Sequence, residues 1–152
     1  MGSLLLIENF GSGDLPRAIK YGEQGIRIAG ENDLREELAQ IYHDIARPYM
    51  RQGRLQDAWE AYHTAQAYWW EADNQPMLAD SLASLAESLY YVGDLSKALE
   101  YANEALRISQ RIESLWGQAN AQFVLATALI EFGEVDACLQ SLNACQDLSR
   151  RG

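Results

Sequence analysis

The side chains in this sequence best suited to acid–base, nucleophilic or metal chemistry near neutral pH are His43, His63, Cys138 and Cys145. Each would need company: a catalytic histidine needs a nucleophile or acid within hydrogen-bond reach, and a zinc ion needs three or four ligands. His43 and His63 stand twenty residues apart on different predicted helices, and Cys138 and Cys145, seven apart, have no further ligand nearby. They read as hydrogen-bonded or exposed histidines and as reduced core thiols. Gly11-Ser12-Gly13 has the glycines of a phosphate loop but neither the following lysine nor the preceding strand, so it reads as a turn. Glu36 with Glu37, and Glu134 with Asp136, fall at helix starts, where carboxylates complement the helix dipole. The run Tyr68-Trp69-Trp70 cannot share one helix face, so one or two of the three are expected to pack against the next hairpin. Trp59 and Trp116 are read in the same way, as core in preference to ligand contact. No catalytic group, cofactor site or metal site emerges, and the chain is expected not to be an enzyme.

The elements that carry these residues are set by internal repetition. Gly13, Gly53, Gly93 and Gly133 follow one another at intervals of forty residues. Gly13-Asp-Leu-Pro-Arg-Ala18, Gly53-Arg-Leu-Gln-Asp-Ala58, Gly93-Asp-Leu-Ser-Lys-Ala98 and Gly133-Glu-Val-Asp-Ala-Cys138 align without a gap. Seven residues beyond the last of these small residues come Gly25, Ala65, Ala105 and Cys145, two helical turns on and therefore on the same stripe. Ala46, Ala86 and Ala126 lie seven residues before a glycine, and Ala39, Ala79 and Ala119 mark the start of each repeat. Each unit is thus a pair of helices hinged at glycine, with small side chains that let the helices approach closely.

Period and breakers predict helices over 14–29, 33–52, 54–72, 77–92, 94–111, 115–132 and 134–150. Asp14, Asp94 and Glu134 put acid in a first turn, and each glycine is expected to close the preceding helix in the left-handed conformation. Pro16 falls in a first turn. Pro48 lies inside 33–52 and predicts a bend costing about 3 kcal/mol. Leu4 to Phe10 reads as a truncated first helix, and Met1-Gly2-Ser3 as an expression scar.

These residues resemble the tetratricopeptide repeat family, most closely in the second unit with Tyr42, Ala46, Tyr49, Gly53, Ala58, Tyr62 and Ala65. The resemblance covers essentially the whole chain. It implies an all-α, right-handed α-α superhelix, a solenoid of about three and a half hairpins forming one domain over residues 4–152. The forty-residue period exceeds the family's usual thirty-four and resembles the long-helix variant of bacterial regulatory and scaffold proteins. HEAT repeats share the period without this glycine turn and are the alternative. Val135, Cys138, Leu139, Leu142, Cys145 and Leu148 on the last helix have no following helix to cover them, so the chain is expected to be a piece of a longer protein or to form a homodimer through a solenoid end.

The first helix of each unit lines the concave side of such a solenoid. The stripe opposite the small residues would then form a partner-binding groove: Gln40, His43, Arg47, Met50 and Arg51 in the second unit, Asp80, Ala83, Glu87, Tyr90 and Tyr91 in the third, and Asn120, Phe123, Thr127, Ile130 and Glu131 in the fourth. Family members that grip a terminal carboxylate use a lysine and asparagine clamp that this sequence does not reproduce. Twelve basic and twenty-two acidic residues give a net charge of −10, a surface that repels phosphate and therefore disfavours nucleic acid and anionic membrane. The expected function is a protein- or peptide-binding scaffold module of a larger cytosolic signalling or regulatory protein. The alternative is a domain that senses a short peptide or small molecule and controls a linked effector.

Overall fold

The computed structural model describes residues 14–150. They form α1 (Leu15–Glu31), α2 (Arg35–Arg51), α3 (Leu55–Glu71), α4 (Gln75–Tyr91), α5 (Leu95–Arg111), α6 (Leu115–Glu131) and α7 (Val135–Ser149), with no strand among the described residues. Every predicted helix in this range is present, each end within two residues of its expected place. The expected Leu4 to Phe10 helix, the Gly13 turn and the Met1-Gly2-Ser3 scar lie outside the described residues.

α1 to α6 each have 17 residues, and a three-residue turn follows each of them, so the forty-residue repeat is two halves of equal length. Gly53, Gly93 and Gly133 have φ of +76°, +84° and +76°, and the amide after each reaches back across the turn, as Arg54 N–H does to the Tyr49 carbonyl at 2.9 Å. Halfway between them the same left-handed geometry recurs at Asp33, Asp73 and Glu113, with φ of +51°, +51° and +56°. There Leu34 N–H bonds the Ala29 carbonyl and Ser114 N–H the Ser109 carbonyl, both at 2.9 Å. Helix starts are capped by side chains: Asp14, Asn74, Asp94 and Ser114 accept from the backbone N–H three residues on, at 3.1 to 3.3 Å. Asp14 and Asp94 therefore cap their helices from one position before the first turn, while Glu134 makes no such bond.

The chain divides into two compact units, the first ending at Asp73 and the second beginning at Asn74. In the first unit α1 packs on α2 and α2 on α3. Tyr49 on α2 ties the three together: its hydroxyl donates to Glu23 of α1 at 3.1 Å, and Arg54 lies 4.2 Å over its ring while bonding Asp57 at 2.6 Å. Burial, reinforced by the Glu23 carboxylate, pushes the Tyr49 phenol up to about 12. Pro48 does not break its helix. α2 runs on through it to Arg51, and the ring is sealed in the core.

In the second unit α4 packs on α5, α5 on α6 and α6 on α7, and α4 also meets α6. α5 and α7 do not approach one another within 8 Å between Cα atoms, so the even helices form the close layer and the odd helices the spread one. The stripe of small residues does the packing the repetition predicts: Ala18, Ala58, Ala65, Ala98 and Ala105 are sealed. Ile45 in the first unit and Leu85 in the second are sealed as well, each worth about 1.5–3 kcal/mol of apolar burial. Hydrogen bonds at a spacing of 36 residues recur at the repeat edges, from Arg35 to Glu71 at 3.0 Å and from Arg111 to Gln75 at 2.8 Å. On α7 the pattern opens. Cys138 is buried, Cys145 half-buried, and Val135, Leu139 and Leu142 are exposed.

Candidate partner-binding face

The close layer of the second unit is built from two parallel helices. Pro76 and Met77 at the start of α4 share a cleft of about 240 Å³ with Trp116 and Gly117 at the start of α6. At the other end the Tyr90 hydroxyl donates to Glu131 Oε1 at 3.4 Å. Tyr90 and Tyr91 meet edge to face with ring centres 5.4 Å apart, and Tyr91 is 75% exposed. Burial and then the Glu131 carboxylate push the Tyr90 phenol up. Phe123 and Ile130 on α6 are 51% and 48% exposed. Asp80, Glu87 and Asn120 are half-buried.

Two expected members contribute less than their spacing suggested. Ala83 is only 2% exposed, so it belongs to the core rather than to an open groove. Its register matches that of Phe123, but a methyl group too short to emerge from between helices presents nothing. Thr127 spends its hydroxyl on its own helix, donating to the Val124 carbonyl at 2.7 Å.

In the first unit the expected residues all stand on α2. Gln40 donates to Asp44 at 2.9 Å, and His43 meets the Tyr62 ring edge-on at 6.0 Å. Arg47 and Met50 are half-buried and Arg51 is exposed. His63 meets the Trp59 ring edge-on with ring centres 4.4 Å apart, and burial lowers its pKa. Of the aromatic run on α3, Trp69 is buried, Tyr68 half-buried and Trp70 exposed, as helix geometry requires.

The structure adds features that spacing did not pick out. Trp116, expected in the core, is 65% exposed and lines the α4–α6 cleft. A second cleft of about 260 Å³, lined by Arg35, Glu36, Tyr68, Trp69, Glu71 and Ala72, sits in the first unit where α2 begins and α3 ends. Its position is one repeat earlier than that of the α4–α6 cleft. Each cleft opens beside a helix start that follows one of the left-handed turns made by an acid, and no residue type in the sequence marked those turns. Among the described residues no group of three or more His, Cys, Asp or Glu side chains is placed to hold a metal ion, and no helix is long and apolar enough to cross a membrane.

Known proteins carry the same architecture. The family profile described as tetratricopeptide repeat matches residues 37–111. Protein NPGR2 of Arabidopsis thaliana is 32% identical over 103 residues, which make up 66% of this chain and 13% of that protein. Among solved structures, BtubC (BKLC) from P. vanneervenii superposes with a TM-score of 0.84 at 19% identity, over 99% of this chain and 62% of that one. A Podosopora anserina kinesin-light-chain protein with nearly identical TPR-like repeats gives 0.75 at 20% identity, over 99% and 74%. The chain therefore spans about an eighth of NPGR2 and less than two thirds of BtubC. The glycine turns, the sealed small-residue stripe and these matches agree: the chain belongs to the tetratricopeptide repeat family.

Proposed function

We propose that the chain is a peptide-binding interaction module within a larger cytosolic regulatory or signalling protein, and that its partner lies along the α4–α6 face. The observation that carries this reading is the exposure of Phe123, Ile130 and Tyr91 on one side of two adjacent helices whose other sides are consumed by packing. Water-facing helices have no need of such residues, and apolar anchors are what interfaces spend their binding energy on. Tetratricopeptide repeats generally serve protein–protein interaction, and the partial spans of NPGR2 and BtubC support a larger setting. A small-molecule sensor is the weaker reading, since the clefts of about 260 and 240 Å³ fall below the roughly 300–1,000 Å³ usual for ligand pockets.

The test is affinity capture from the native lysate with the wild-type chain and with Phe123→Ala and Tyr91→Ala. Loss of the same partner in both variants is the expected result. Undiminished capture by both would remove the face from consideration.

A further inference from the structure

The even helices of the second unit also specify what kind of peptide fits. α4 and α6 run parallel, joined at their starts by the Met77–Trp116 cleft and at their ends by the Tyr90–Glu131 hydrogen bond. Seventeen residues of helix are about 25 Å long, a distance that an extended chain covers in about seven or eight residues.

The charge on this face has one sign. α4 and α6 contain Asp80, Glu87 and Glu131 and no Lys, Arg or His. The unit's described cations stand on α5 and after α7, each against a neighbour: Lys97 with Asp94, Arg107 with Glu104, Arg111 with Gln75 and Arg150 with Asp147. At the cleft, Pro76, Met77, Ile112 and Trp116 make an apolar rim, and the buried Ser109 hydroxyl lining it has no hydrogen-bond partner among the described residues. Apolar ground with Asp80 at the cleft, Glu87 along α4 and Glu131 at the far end accepts a chain that is both cationic and apolar. An acidic segment would face like charge.

Resting on the peptide-binding reading above, we propose that the α4–α6 face takes an extended cationic–aromatic segment of about eight residues. One large apolar side chain enters the cleft at Trp116, the middle lies against Phe123 and Ile130, and a lysine or arginine sits beside Glu131.

Fluorescence anisotropy on the full chain with three labelled decapeptides tests this. The first alternates lysine with leucine around one tryptophan. In the second every lysine is glutamate, and in the third every apolar residue is serine. The first is expected to bind at least about tenfold tighter than the other two. Phe123→Ala and Trp116→Ala should each weaken it at least about fivefold, and Glu131→Gln about two- to fivefold, as an exposed charge pair allows. Circular dichroism verifies folding, and Phe123→Leu and Trp116→Phe replace any alanine variant that loses helix. Tighter binding of the glutamate peptide overturns the charge assignment and leaves peptide binding standing. Equal binding of the serine peptide, or indifference to both aromatic substitutions, overturns the placement. Failure of all three peptides overturns this inference, while the peptide-binding reading stands or falls by the capture experiment with Phe123→Ala and Tyr91→Ala.

Discussion

Gly117 is where the closeness of the helices can be measured. A Cβ built there would stand 2.5 Å from Ser109 Oγ and 3.1 Å from both Ser109 Cβ and Ser114 Oγ, against an ordinary carbon contact of about 3.5–4.0 Å. Ser109 is buried on α5, and its Cβ as well as its Oγ crowds the site, so turning the hydroxyl away leaves the tight carbon contact in place. Gly117→Ala therefore sets two effects against each other. Alanine gains about 1 kcal/mol of helix propensity, while overpacking a tight site costs about 1–3 kcal/mol. The expected net loss is about 1 kcal/mol, or about 2–4 °C in melting midpoint for a chain of this size. Ser109→Ala removes the nearest atom, and since that hydroxyl has no partner it should cost little by itself. In that background Gly117→Ala should be neutral or stabilising, a coupling of about 1–2 kcal/mol in the double-mutant cycle. Urea titrations of the four proteins, followed by circular dichroism, give the numbers. A stabilising Gly117→Ala in the wild-type background, or strict additivity in the cycle, would refute the account of α5–α6 packing.

Tyr49 should make stability depend on alkaline pH. Its phenol titrates near 10 when unfolded and is held up to about 12 when folded, so its contribution is complete below pH 10 and is lost as pH rises toward 12. The stability gap between wild type and Tyr49→Phe should shrink across that window by an amount on the order of 2 kcal/mol; equal gaps at pH 9 and pH 11.5 would contradict it. Leu85 and Leu139 should respond unequally to alanine. The first is sealed in the second unit and should cost about 2–5 kcal/mol. Leu139 is half-exposed on α7 and should cost less than about 1 kcal/mol in urea titration.

What the sequence disclosed and what it hid follow from the same backbone geometry. A left-handed residue that is glycine announces itself, because few other side chains tolerate that φ, and three described helix ends were legible at Gly53, Gly93 and Gly133. The alternate turns use Asp33, Asp73 and Glu113 in the same conformation, and acids are too common on a chain of this charge to stand out. Small residues two turns apart disclosed the packing stripe. Register alone could not tell Ala83 from Phe123, since side-chain length decides whether a residue on the inner helix surface reaches solvent. Trp116 was misjudged on type: large aromatics usually pack, and only the placement of the α6 start beside Met77 shows that this one does not.

Recognition and stability should be separable on this fold, because the residues that join helices and those that face outward lie on different stripes. Phe123 and Val124 are adjacent in sequence and make the sharpest comparison. Val124 is sealed in a cluster with Ala86, Ala102 and Leu125, whereas half of Phe123 is in water. A phenylalanine in a core costs about 3–5 kcal/mol when cut to alanine. Phe123→Ala should cost less than about 1 kcal/mol, less than Val124→Ala despite removing more atoms. The two variants can be ranked in one set of urea titrations. A loss of 3 kcal/mol or more at Phe123, within the core range, would mean that the ring is held by packing rather than offered to a partner, and the α4–α6 face would lose its central anchor.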